Sequence, residues 1–176
     1  MKRFLIVVDM QKDFVDGALG SAEAQAIVPA VVEKIRGFDG EIIVTYDTHE
    51  EDYLQSREGR FLPVPHCIRD TAGWQLDAAV ADALVNRAYT VVEKPTFGAV
   101  TLPEVVQQLA GEDGFSVELV GLCTDICVVS NALLLKAAFP EVDMTVDAAC
   151  CAGVTPQSHQ AALITMACCQ IAVTNN

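Results

Sequence analysis

Short runs rich in valine and isoleucine recur along this chain at residues 4–8, 41–46, 89–92, 116–120, 144–146 and 171–173. Apolar runs of this length without polar alternation predict strands covered on both faces. Helical stretches lie between most of them, at 29–36, 75–86, 103–110, 125–139 and 156–169. Strand, helix and strand in repetition force neighbouring strands to run parallel with right-handed crossovers. The expected architecture is therefore α/β, a three-layer, doubly wound, Rossmann-like sheet of six parallel strands with helices on both faces. Two helix starts are marked locally. Thr101 with Glu104 three residues on has the pattern of a capping box, and Thr155 precedes a proline at the first helical position. The chain has 176 residues, which at about 150 per domain fits one domain, residues 1–176, with no repeat or linker in it.

Charge narrows the partners. Eleven Lys and Arg stand against 24 Asp and Glu, a formal charge of -13, so the molecular field repels phosphate and acidic lipid. Nucleic acid and membrane surfaces are excluded as expected partners. Phe4 to Val8 is too short for the apolar core of a secretory signal. The stretch 148–176 lacks Asp, Glu, Lys and Arg, but Gly153, Pro156, Gln157 and His159 break it as a membrane span. Seven cysteines, four of them in the adjacent pairs Cys150–Cys151 and Cys168–Cys169, do not form a disulfide framework, because adjacent residues bridge poorly. Apart from Cys127 they read as small apolar core residues in a reducing cytoplasm.

In doubly wound sheets ligands sit at the carboxyl ends of the strands. Asp9 ends the first strand, Asp47 the second and Lys94 the third, while Cys127 follows the fourth across a short turn. Singly, Asp9 could cap a turn and Lys94 could be solvated; together they deliver distant polar groups to one edge. Cys127 lies where strand gives way to helix, with either Thr124 or Asp125 available as N-cap. In a first helical turn, free backbone N–H groups and the positive end of the helix dipole stabilise a thiolate and bind an oxyanion. Asp9, held ionised by Lys94, can take the thiol proton. Asp47 and His49 are two residues apart in an extended segment, so both can face one ion. With His66, and Glu58 between them, they offer a nitrogen and oxygen site suited to one divalent transition metal, Zn, Mn or Fe. Solvated charges in a loop are the plainer reading of that spacing. His159 reads as structural. The long connection 47–74 is irregular, and a loop of that length in a compact domain is usually functional.

The segments Asp9-Met10-Gln11-Lys12-Asp13-Phe14, Asp47-Thr48-His49, Pro65-His66-Cys67, Lys94-Pro95 and Thr124-Asp125-Ile126-Cys127-Val128 occur together in one order that resembles the isochorismatase-like cysteine hydrolases. The resemblance implies the isochorismatase-type fold and a catalytic triad of Asp9, Lys94 and Cys127. It also implies metal ligands at Asp47, His49 and His66, with Glu58 as a fourth in some members. A non-proline cis peptide before Cys123 is implied as well, its N–H joining that of Cys127 in an oxyanion hole. The implied activity is metal-assisted hydrolysis of a small carboxamide, nicotinamide first, through a thioester on Cys127.

Two departures bear on substrate. Phe61-Leu62-Pro63-Val64-Pro65 offers an aliphatic wall, Leu62 foremost, where such members commonly place an aromatic ring before the last metal-binding histidine, and the chain stops soon after its last strand. Phe14 is then the expected ring contact, or else a core anchor. A related hydrolase of another amide or a carbamoyl compound is the first alternative. Isochorismate hydrolysis fits less well, since those members use no cysteine nucleophile. A non-catalytic metal or redox protein is the second alternative and leaves Asp9 and Lys94 without a role. A homo-oligomer is expected.

Overall fold

The computed structural model describes residues 1–176. The chain begins with β1 (Lys2–Val8), α1 (Lys12–Val15), α2 (Ala22–Gly37) and β2 (Glu41–Asp47). Then come α3 (Arg57–Phe61), α4 (Ala78–Leu84), β3 (Tyr89–Lys94), α5 (Leu102–Ala110) and β4 (Phe115–Leu122). The remainder is α6 (Val129–Ala138), β5 (Asp143–Ala152), α7 (Pro156–Cys168) and β6 (Ala172–Thr174). All six strands join one parallel sheet in the order β3-β2-β1-β4-β5-β6.

Why the strands form follows from where their side chains go. Phe4 through Val8 are wholly buried. Leu5 and Val7 pack into a core with Val31 and Ile35 of α2 and Val80 of α4. Phe4, Ile6 and Val8 point the other way, against Leu102 and Val106 of α5, Leu135 of α6 and Leu163 and Met166 of α7. Each fully buried Val, Leu or Ile side chain contributes about 1.5–3 kcal/mol relative to exposure. The continuous apolar run is thus the signature of a strand sandwiched between two helix layers. The outermost strands depart from that expectation. On β3, Tyr89 and Val91 are exposed, and on β6 Ala172 and Thr174 are exposed, because an edge strand has a neighbour on one side only.

Several local expectations are corrected. The helix expected at 29–36 begins seven residues earlier at Ala22, where Ser21 Oγ accepts from the Ala24 N–H at 3.0 Å. Pro29 lies inside it rather than at its start; the helix core tolerates a missing N–H because Val31, Val32 and Ile35 bury its inner face. Thr101 sits in helical backbone at the start of α5 and its side chain makes no cap, so the capping box expected there is absent. The Thr155 cap is present, with Ser158 completing a reciprocal box. The connection 47–74 holds a 3₁₀ turn, Tyr53–Gln55, and α3. All seven cysteines are free, but Cys168 and Cys169 are exposed at the end of α7 rather than in the core, and Cys123 is half-buried. No helix is long and apolar enough to cross a membrane.

The strand order reverses between β1 and β4, which lie side by side in register. At such a reversal the connections leave in opposite directions and open a crevice at the carboxyl edge. Gly121 permits the close approach there. Its φ is +120°, and a Cβ would collide with the Val8 carbonyl. Three residues further on begins the turn that carries Cys127.

Candidate active site

Asp9 leaves β1 with φ +46°, a left-handed conformation that an aspartate tolerates better than most residues. The bend turns its carboxylate across the crevice, where Oδ2 lies 2.6 Å from Lys94 Nζ. Oδ1 accepts from Thr45 Oγ1 at 2.6 Å. Lys94 Nζ also lies 3.4 Å from Cys127 Sγ, donates to the Thr96 carbonyl at 3.0 Å and contacts Asp47 Oδ1 at 3.1 Å. The alternatives of a turn-capping Asp9 and a solvated Lys94 are thereby removed: both are buried, 0% and 1% exposed. An ammonium out of water is costly unless paired, and here two carboxylates and a sulfur surround it. Burial alone would lower the Lys94 pKa, but the carboxylates of Asp9 and Asp47 outweigh it and raise the group above its ordinary value.

Burial raises the Asp9 carboxyl, and Lys94 opposes the rise without cancelling it. Burial also lifts the Cys127 thiol well above its ordinary value, Asp9 adds to the rise and Lys94 subtracts from it. Sulfur and carboxylate thus both lie in a dry setting that disfavours their charged forms, with the Lys94 ammonium opposing it at each. Burial works here against the help that the helix start gives a thiolate, which leaves Asp9 to take the proton. The N-cap is corrected. Cys123 occupies it, after a cis Leu122–Cys123 peptide as the resemblance implied, and Thr124–Val128 forms a π-helical turn with the Val128 N–H bonded to the Cys123 carbonyl. Thr124 instead bonds His159 Nδ1 at 2.8 Å, and Asp125 accepts from the Val154 N–H, so His159 braces the turn from below.

The second cluster adjoins the first through Asp47. Ligand atoms of Asp47, His49 and His66, all buried, lie within 4.8 Å of one another. His49 Nε2 is 3.1 Å and His66 Nε2 3.5 Å from Asp47 Oδ2, with Glu58 Oε1 at 3.8 and 3.7 Å from the two nitrogens. Two observations fit this set to a divalent metal. His49 Nε2 is buried with no hydrogen-bond partner despite the nearby carboxylate. His66 Nδ1 is 2.8 Å from the Val64 carbonyl, the outer hydrogen bond that leaves Nε2 free as a ligand. Burial would raise Asp47, but the imidazoles of His49 and His66 and the charge of Lys94 hold it below the usual carboxylate range, as an anionic ligand requires.

Four supporting residues were not singled out in the sequence. Thr45 fixes Asp9. Gln11, fully buried, donates to the Asp47 and Trp74 carbonyls and accepts from the Asp47 N–H, clamping that backbone. Asp13 accepts from the Cys67 N–H at 2.8 Å and so ties the His66 segment to α1. Asn131 donates to the Cys127 carbonyl and accepts from the Ala99 N–H, each at 2.8 Å. Gln11 and Asp13 lie within the Asp9–Phe14 segment that carries the resemblance, while Thr45 and Asn131 show only as polar residues inside an apolar element.

A cavity of about 60 Å³ lies over Cys127, walled by Asp47, Glu58 and His66 on one side and by Phe14, Leu62 and Ile126 on the other. Phe14 meets His66 edge to face at 5.5 Å, so the expected ring contact is also a core anchor, 8% exposed. Leu62 is in the wall as expected. Phe97 and Leu19 join it unforeseen, and Phe97 adds an aromatic surface to the lining.

A doubly wound sheet that brings a buried cysteine, carboxylate and lysine to its reversal point, beside a two-histidine cluster, defines an α/β enzyme of hydrolytic type. Residues 3–176 match the Isochorismatase domain, and the chain belongs to that family of hydrolases. It is 29% identical over 143 residues to the Bacillus subtilis (strain 168) protein named "Uncharacterized isochorismatase family protein PncA", covering 76% of this chain and 78% of that one. Its fold is similar to that of a nicotinamidase/pyrazinamidase PncA from Bacillus subtilis, with TM-score 0.85 and 26% identity over 98% of this chain and 99% of that chain. It is similar also to a pyrazinamidase of Pyrococcus horikoshii in complex with zinc, with TM-score 0.82 and 26% identity over the whole of both chains.

Proposed function

We propose that this protein is a cysteine amidohydrolase that converts nicotinamide to nicotinate and ammonia. The observation that carries the reading is the position of Lys94, whose single ammonium touches Asp9, Cys127 and Asp47 and so joins a reacting pair to the histidine cluster. Asp9 takes the Cys127 proton as sulfur attacks the carboxamide carbon. Backbone N–H groups of Cys123 and Cys127 hold the developing oxyanion, a contribution of about 3 kcal/mol per donor. Asp9 returns the proton to the departing ammonia, then draws one from the water that opens the thioester. Lys94 keeps the carboxylate in place through both halves.

Asp47, His49 and His66, with Glu58 beside them, would hold one Zn, Mn or Fe ion, which would supply a Lewis acid toward a pyridine nitrogen and so help orient the amide. Phe14, Leu62 and Phe97 enclose the ring, and the resemblance to nicotinamidase and pyrazinamidase structures supports a substrate of that size. The aliphatic Leu19, Leu62 and Ile126 favour, as a second reading, a related small amide with a less planar acyl group.

Initial rates on nicotinamide, pyrazinamide and benzamide, before and after chelation, test this. Nicotinamide is expected to exceed benzamide by about 10²-fold or more, because losing a built polar partner costs more than losing one ring wall, which is worth about 1 kcal/mol. Chelation is expected to remove that preference. Equal rates on nicotinamide and benzamide would discard pyridine anchoring.

A further inference from the structure

A second, larger space opens beside the one over Cys127. It measures about 380 Å³, within the range of small-molecule sites, whereas the cavity at the sulfur measures only about 60 Å³. The two share a wall made by Phe14, Leu19, Leu62, Cys123 and Ile126. None of Asp47, His49, Glu58 and His66 borders the larger chamber, and neither do Asp9, Lys94 or Cys127. It therefore extends from the reacting side away from the histidine cluster. Its further lining is Gly20, Ser21, Ala24, Leu122, Gly153 and Val154. Ser21 Oγ is engaged as the cap of α2, and no ionisable carboxylate or amine faces the space.

Resting on the amidohydrolase reading, we infer that this chamber is an apolar subsite, and that the enzyme takes carboxamides bearing an aliphatic or aryl substituent on the part remote from the metal ligands. A compact head group fits over Cys127, and the substituent passes between Leu62 and Ile126 into the chamber. Two positions on a substrate reach it: the leaving nitrogen, or the edge of the acyl ring opposite its metal-facing atom. The chemistry is the same in both. The S–C bond forms first and gives the oxyanion, the C–N bond then breaks as Asp9 protonates the leaving amine or ammonia, and water cleaves the thioester to release the acid and the free thiol.

The test uses two series of pyridine-3-carboxamides, one with methyl, propyl and benzyl groups on the amide nitrogen, the other with methyl and propyl groups on the ring. Binding is measured calorimetrically on Cys127→Ala, and turnover on the wild type. Burial of each methylene is expected to tighten binding about three- to fourfold in at least one series, and the series that gains identifies the position. Ala24→Phe narrows the chamber from α2, and Val154→Trp does so from the exposed rim. Both are expected to erase the gain while leaving unsubstituted nicotinamide within about twofold. Affinity that is flat or falls with substitution in both series, or a gain that survives both variants, would overturn the subsite. If the amides bind with this pattern but none is turned over, the amidohydrolase reading fails and the subsite stands.

Discussion

Among single residues, the pattern at Lys94 has a smaller counterpart at Lys34. Lys34 Nζ lies 2.6 Å from Asp147 Oδ2 and also pairs with Glu118, linking α2 to β4 and β5. Burial would raise Asp147, yet hydrogen bonds from Lys34 and Asn175 outweigh it and hold the carboxyl below its ordinary range. A depressed carboxyl gives stability that is complete above its unfolded pKa, about 3.9, and lost as pH falls through the folded value. Asp147→Asn is accordingly expected to cost about 1.5–3 kcal/mol at pH 7, the scale of a hydrogen bond to a charged group. The difference from wild type should shrink below about pH 4. Urea titrations at pH 7, 4 and 3 read this directly, and a gap that stays constant to pH 3 would remove the ion pair as its source. Among site residues, Asp9, Asp47, Lys94 and Cys127 were legible because each ends or follows an apolar run. Thr45 and Asn131 were not, and Gln11 was legible only as part of a motif, since a buried hydroxyl or amide reveals its partner only once the strands are side by side.

The elements show how a site is assembled by backbone alone. β4 must lie close against β1 for Asp9 and Cys127 to meet, and Gly121 at φ +120° is what the approach requires. Gly121→Ala forces a strained conformation and a collision with the Val8 carbonyl. A loss of about 2–4 kcal/mol is expected, measured as a shift in denaturation midpoint; a change below about 0.5 kcal/mol would mean the two strands can separate without penalty. The sheet and its helices were readable from apolar periodicity, since every central strand is buried on both faces. Element ends were less so. The apolar periodicity over 29–36 gives only the inner part of α2, whereas its cap lies at Ser21, outside the apolar run. Thr101 and Glu104 have the letters of a capping box, but the Thr101 backbone is already helical, which turns its hydroxyl away from the role. The π-helical turn at Thr124–Val128 has no periodic signal at all, being a single turn fixed by what it packs against.

For the whole molecule, charge and topology act together. A chain of charge -13 places its buried ammonium, Lys94, at the one point where the strand order reverses. Asp9 and Asp47 neutralise that charge locally, and Asp47, Glu58 and His66 wall the cavity alongside apolar side chains, so the pocket disfavours an anion. The central claim is that Cys127 forms the covalent bond and Asp9 moves the protons within this pocket. Ammonia release from nicotinamide, followed together with the intact mass of acid-quenched protein, measures both. Wild type is expected to release ammonia and to carry a fraction of one nicotinoyl group on Cys127. Cys127→Ala and Asp9→Ala should each lose about 10⁴-fold or more in rate, with the double variant little worse than either, because the residues work as one unit. Ammonia release by Cys127→Ala at near wild-type rate, or an acyl group mapped to any other cysteine, would contradict it.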